Sequence, residues 1–229
     1  MLHPISLKNI RFRTRIHWID IAESIVAMMI IAAGVILSAK ASLGTSPVAS
    51  FPYVLSLGTG YSLGTTIFIV YAVFVLCQLI IYRKDRHRQI SVLSQLPYTM
   101  IFSGFVDIIE MMLTGWTLEG PAECWIAAFS SIILIAFGVT LEVDANVSML
   151  ADDGFVLALH EATGIRFGMV TIIFNVSFVT AAFALSYALF REFDGVGVAT
   201  LLAMVFIGLF VNFFTKVVKK YIRTTGYLD

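Results

Sequence analysis

The 229-residue chain is 59% hydrophobic, only 13% charged, and has a formal net charge of zero. With a mean hydropathy of +0.92 it lacks the polar surface of a water-soluble globule, and no excess charge draws it to nucleic acid. The composition is that of an integral membrane protein, whose first partner is the lipid bilayer.

Residues 1–19 form a basic segment in which Lys8, Arg11, Arg13 and Arg15 precede His17 and Trp18. Lysine and arginine are retained on the cytoplasmic side of a bilayer, so this end is expected inside. Span 1 is expected over residues 21–41, long enough at 1.5 Å per residue to cross a hydrocarbon core of about 30 Å. Ala39-Lys40-Ala41 resembles a signal-cleavage site, but the apolar run before it is longer than a signal core, and an uncleaved span is expected. In Leu43-Gly44-Thr45-Ser46-Pro47 the glycine loosens the helix, Ser46 suits the cap of a new one, and Pro47 suits its first turn. The helix over residues 47–57 is too short to cross. Gly58-Thr59-Gly60 ends it, and span 2 follows over residues 63–82, closed by Arg83, Lys84, Arg86 and Arg88. That cluster belongs inside, so the short helix is expected to approach from outside, either dipping into the membrane or lying on its surface.

Span 3, residues 92–113, contains Asp107 and Glu110. Carboxylates within a span are costly and mark a proton or ion path, so these two are the candidates for coupling to protons or sodium. The turn from Trp116 to Glu123 has no lysine or arginine, as expected outside. Span 4 covers residues 125–143. A second polar break carries Asp144, Asn146, Asp152 and Asp153, and a short helical stretch runs on to Glu161. Span 5 is expected over residues 167–190, an outer turn contains Arg191, Glu192 and Asp194, and span 6 follows over 196–215. Lys216, Lys219, Lys220 and Arg223 then mark the inner flank, and residues 217–229 form a basic cytoplasmic tail.

Residues 34–75 align without a gap to residues 138–179, an offset of 104. Gly34/Gly138, Thr59/Thr163, Gly60/Gly164, Gly64/Gly168 and Phe74/Phe178 are among the identities. The half-molecules 20–115 and 116–216 each hold three crossings, an odd number, so the second enters the bilayer upside down relative to the first. The expected fold is therefore all-α: six transmembrane helices in two inverted three-helix repeats, each with a broken or re-entrant short helix after its first span. Such repeats with broken helices point to alternating-access transporters, whose sites form where the repeats meet.

A break at membrane depth must be buried in protein or line a wet cavity. At the first, Gly44, Thr45, Ser46 and the free N–H groups of the following helix suit an anion, with Lys40 just before them. At the second, Asp144, Asn146, Asp152 and Asp153 suit an amine, a sodium ion or a proton. Asp144 occupies the repeat position of Lys40, which suggests an internal salt bridge. The Gly-x-x-x-Gly pairs Gly60/Gly64 and Gly164/Gly168 are read as close helix packing, and Asn175 and Asn212 as hydrogen-bonding bridges between helices. No metal site, cofactor motif or catalytic constellation stands out. Cys77 and Cys124 read as buried thiols, and without a nucleotide-binding loop the chain is not expected to be an enzyme.

The run Ser38-Ala39-Lys40-Ala41-Ser42-Leu43-Gly44-Thr45-Ser46-Pro47, with Leu63-Gly64-Thr65-Thr66 and the later basic cluster, resembles the YczE branch of the YczE/YitT bacterial membrane proteins. YitT-like proteins often continue into a soluble C-terminal domain, whereas this sequence ends at Asp229. The resemblance implies a polytopic inner-membrane protein with both termini cytoplasmic and supplies no residue roles. The expected function is a secondary transporter or exporter of a small anionic or zwitterionic solute, in a layout that admits a homodimer. The alternatives are a solute-binding membrane subunit that relies on an energising partner, or a non-transporting assembly or signalling factor.

Overall fold

In lipid a backbone must satisfy its own polar groups, and all the regular secondary structure among the described residues is helical. The computed structural model describes residues 17–191 and 195–225, with side chains up to residue 218. Lys8, Arg11, Arg13, Arg15, Glu192, Asp194 and the side chains of Lys219, Lys220 and Arg223 lie outside the described residues. The helices are α1 (Trp18–Lys40), α2 (Pro47–Thr59), α3 (Leu63–Ile81), α4 (Arg86–Leu93), α5 (Gln95–Met112), α6 (Pro121–Ala145), α7 (Ala151–Thr163), α8 (Phe167–Phe190) and α9 (Val198–Thr225). Six stretches are long and apolar enough to cross a membrane: α1, α3, α4 with α5, α6, α8 and the first 21 residues of α9.

Local chemistry sets the short helices. α2 opens on extended Ser46 with Pro47 as its first residue, and α7 opens on Leu150 with nearly the same ψ, 150° against 152°. Both end on a glycine in the left-handed region, Gly60 at φ +74° and Gly164 at φ +72°, a conformation that costs other residues steric strain. Thr59 and Thr163 act alike just before them. Each hydroxyl donates to the carbonyl four residues back and accepts the N–H two residues on. The two short helices therefore stop and turn by one device, 104 residues apart.

Three elements depart from expectation: α2 runs past Gly58 to Thr59, α9 runs past residue 215 to Thr225, and a further helix, α4, precedes span 3. The polar flank before span 3 is itself helical, because Asp85 accepts from the N–H groups of His87 and Arg88 and so opens α4.

α1 and α6 form the centre and run antiparallel. A Cβ on Gly34 would lie 2.7 Å from Ile135, and one on Gly138 would lie 2.6 Å from Ile31. Hydrophobic driving force is absent between helices in lipid, so such close backbone approach and its dispersion contacts hold the crossing together. Two of the remaining contacts are exchanged between the half-molecules, α2 against α8 and α7 against α3, while α5 packs on α1 and α3, and α9 on α6. Phe51 meets Phe178 at 5.5 Å, and Phe155 meets Phe74 at 5.0 Å. Phe74 and Phe178 touch each other at 5.4 Å and, with Phe174, form the aromatic middle of the bundle.

α2 and α7 start inside this bundle. Pro47, Ala49 and Ser50 are buried, as are Ala151 and Gly154. From there α2 runs out beside α8 until Gly58 reaches Leu189. α7 runs out along α3 until Glu161 accepts from the Tyr82 hydroxyl, at the opposite end of the bundle.

Candidate functional site

The first break is closed by protein. Thr45 gives both its N–H (3.1 Å) and its hydroxyl (3.2 Å) to the Gly195 carbonyl, and Leu43 O accepts from Ala199 N–H. Gly44, at φ +107°, lies against Gly197 so closely that a Cβ would sit 2.4 Å from its nitrogen. Of the groups expected to hold an anion, Thr45 is thus spent on the segment that leads into α9, with Gly44 packed against it. Thr45 and Ser46 are buried. Beside them a half-open cavity of about 470 Å³ is bounded by Ser42, Gly44, Tyr53, Trp125, Gly195 and Val198, and Lys40 does not line it.

Lys40 and Asp144 are not brought together. Contacts of Gly34 with Ile135 and of Gly138 with Ile31 set Asp144 level with Ile25, about 22 Å along α1 from Lys40 at 1.5 Å per residue. An antiparallel pair places equivalent positions at opposite ends, and that is why the expected salt bridge is absent.

At the second break the structure assembles an acid cluster. Glu142, in the last turn of α6, points its carboxyl at the start of α7, where Oε1 accepts from Leu150 N–H at 3.0 Å. It is 4% exposed, and among the described residues its Oε2 has no hydrogen-bond partner. Asp152 and Asp153 occupy the first turn of the same short helix. Asp152 is half-buried with an unpartnered, solvent-free Oδ1, and Asp153 is exposed. The hydroxyls of Tyr71 and Tyr98 face Asp152 and Glu142, and Tyr98 is 2.8 Å from Ser24 Oγ. Gln78 and Gln95 exchange amide hydrogen bonds, and Gln78 also donates to Ala151 O. A Cβ on Gly154 would strike both amides, so this glycine lets α7 sit down on them. Among the described side chains no lysine or arginine comes within 4.0 Å of these acids, and no three metal-binding side chains converge. Asp144 is exposed near Glu23, and Asn146 is the left-handed cap that ends α6.

Asp107 and Glu110 lie elsewhere, at the far end of α3. Asp107 accepts from Gly64 N–H at 2.8 Å and Glu110 from Leu63 N–H at 3.3 Å. Carboxylates on the free N–H groups of a helix start are favourable in themselves, which gives both a structural reason to be there. The four glycines read as packing positions divide. Gly64 has α5 against it, a Cβ falling 2.2 Å from Ser103 O, whereas a Cβ on Gly60, Gly164 or Gly168 would meet nothing within 4 Å among the described residues. Gly60 and Gly164 are helix ends instead. Asn212 bonds back to Gly208 O of its own helix rather than across to another, and half-buried Asn175 makes no bridge to another helix among the described residues.

Sequence reasoning missed Glu142, Tyr71, Tyr98, Ser24 and Gln95. Glu142 had a signal, since it is an acid inside a span, the same criterion that singled out Asp107. A tyrosine in an apolar run carries no such mark. No curated protein and no solved structure matches the chain. A family model described as a family of unknown function (DUF6198) matches residues 19–216, so the chain belongs to that family.

Proposed function

We propose that this protein is a secondary transporter that moves a small solute by alternating access between two inverted three-helix repeats. The observation that carries the reading is the exchange of contacts between positions 104 apart. Gly34 on Ile135 recurs as Gly138 on Ile31, and Phe51 on Phe178 recurs as Phe155 on Phe74. That exchange is what a two-fold axis in the membrane plane requires, and Phe74 and Phe178 would lie on it. Two halves of one architecture can trade conformations at little cost, which is the basis of alternating access.

The halves differ where a gate would be. Gly64 is pressed against α5, while Gly168, its counterpart, faces open space, and α8 makes no comparable contact with α9. Under the positive-inside orientation this conformer is closed outside and open inside. Within the expected solute class the acid cluster favours a zwitterion, whose amine the carboxylates would receive. The first break has already given Thr45 to Gly195 and offers an anion less. The likeness to the YczE branch belongs to the same proposal.

A thermal-shift screen of the purified chain against amino acids and other zwitterions should find a stabilising solute, since a ligand of the folded state raises the melting point. Proteoliposomes should then accumulate it. The reading fails if cysteines at Ser46 and Ser148 react with an impermeant thiol reagent from the same side of the bilayer.

A further inference from the structure

We propose that Glu142 is a proton-binding site, reached from the exposed Asp153 by way of Asp152. The proposal extends the transport reading by naming the coupling ion, but it rests on geometry that stands without transport.

Three carboxylates gather at the start of α7, whose partial positive charge is about half an elementary charge. That cannot balance three anions. The groups that face Glu142 from the packed elements are Asp152 and Asp153 on α7, Tyr98 on α5 and Ser24 on α1, with Tyr71 on α3 beyond Asp152. None is a cation. α9, packed on α6 through Phe137 and Phe214, brings no lysine or arginine within 4.0 Å of Glu142 among the described side chains. A buried carboxylate with no counter-charge is unstable, and among the described residues Oε2 has no hydrogen-bond partner. A proton on Glu142 removes the charge, while Oε1 goes on accepting from Leu150 N–H.

A metal cation would need several oxygens at one point, and the described acids do not converge in that way. A proton needs one oxygen. Access is built in as well, because Asp153 is exposed and Asp152 lies next to it in the chain. At the level of Tyr71, in the middle of α3, an exposed aspartate has to face water rather than lipid. On this proposal water meets the cluster at Asp153.

The test is infrared difference spectroscopy of the purified full chain in detergent, comparing acid and alkaline pH. Wild type should show the carbonyl band of a buried, protonated carboxyl that disappears as the pH rises. It should be unchanged when sodium chloride is replaced by choline chloride. Glu142→Gln should lose the band and Asp107→Asn should keep it. Retention of the full band in Glu142→Gln, or a band that follows sodium rather than pH, overturns the proposal. Should Glu142→Gln not fold, Glu142→Asp must keep a carboxyl band at a shifted position, and an unshifted band counts against the assignment. The readout is equilibrium proton binding, so a failure to find transport leaves it intact, and its failure leaves transport open.

Discussion

Gly64 and Gly168 occupy equivalent positions one residue into α3 and α8, yet their surroundings are opposite. A Cβ on Gly64 falls 2.2 Å from the Ser103 carbonyl and 2.4 Å from the Asp107 carboxylate. The carbonyl is backbone and cannot swing away, so α3 and α5 must part by most of an ångström. Overpacking of this kind costs about 1–3 kcal/mol. Disturbing the charged hydrogen bond from Gly64 N–H to Asp107 adds about 1.5 kcal/mol or more. Replacing glycine by alanine in a helix returns up to about 1 kcal/mol. The net expectation for Gly64→Ala is a loss of about 2–3 kcal/mol. For Gly168→Ala, where nothing lies within 4 Å, only the gain of up to about 1 kcal/mol remains. At about 2–4 °C per kcal/mol for a chain of this size, Gly64→Ala should melt about 4–12 °C below wild type and Gly168→Ala at or slightly above it. Thermal melts of both variants in one detergent would measure this. Equal shifts for the two, or a Gly64→Ala variant as stable as wild type, would refute the packing argument.

Asp107→Ala should lower the melting point more than Glu110→Ala, because the Asp107 bond to the α3 start is 2.8 Å and the Glu110 bond 3.3 Å; melts at low and high salt would rank them. Gly60→Ala and Gly164→Ala should each cost about 1–2 kcal/mol, the strain of a side chain in the left-handed region, and the two costs should match because the two turns do. Gln78→Ala should cost about 1–3 kcal/mol by stranding buried polar groups on Gln95 and Ala151. A double-mutant cycle with Gln95→Ala should show clear non-additivity, and additive losses would mean the amide pair is not coupled.

Much of the helical layout was legible from local chemistry. Pro47 after Ser46 sets the start of α2, the Gly58-Thr59-Gly60 break sets its end to within two residues, and apolar length sets the spans, whereas Gly60 and Gly164, which read as packing positions in the sequence, are left-handed helix ends. The offset of 104 is reproduced in the element bounds themselves, since α2 and α7, and the starts of α3 and α8, differ by that number. Contacts were not legible from the offset, and Lys40 with Asp144 shows why. Equivalent positions meet only near the point where the halves cross, as Phe74 and Phe178 do, while elsewhere equivalence means separation. The site was half legible. Asp152 and Asp153 were found as charges in a break, but Glu142 sits near the end of a span and reaches them only because the chain folds back after Asn146. Thr45 looked like a ligand donor in sequence, and Gly195, distant in the chain, is what claims it.

At the contact of α1 with α6, Gly34 and Gly138 present bare backbone where other residues would interlock. Ile135 and Ile31 fill the grooves that those glycines leave, so the two helices lie as near to each other as their backbones allow. Bulk introduced at either position would force α1 and α6 apart, because the Ile135 and Ile31 side chains and the facing backbone already fill the space a Cβ would need.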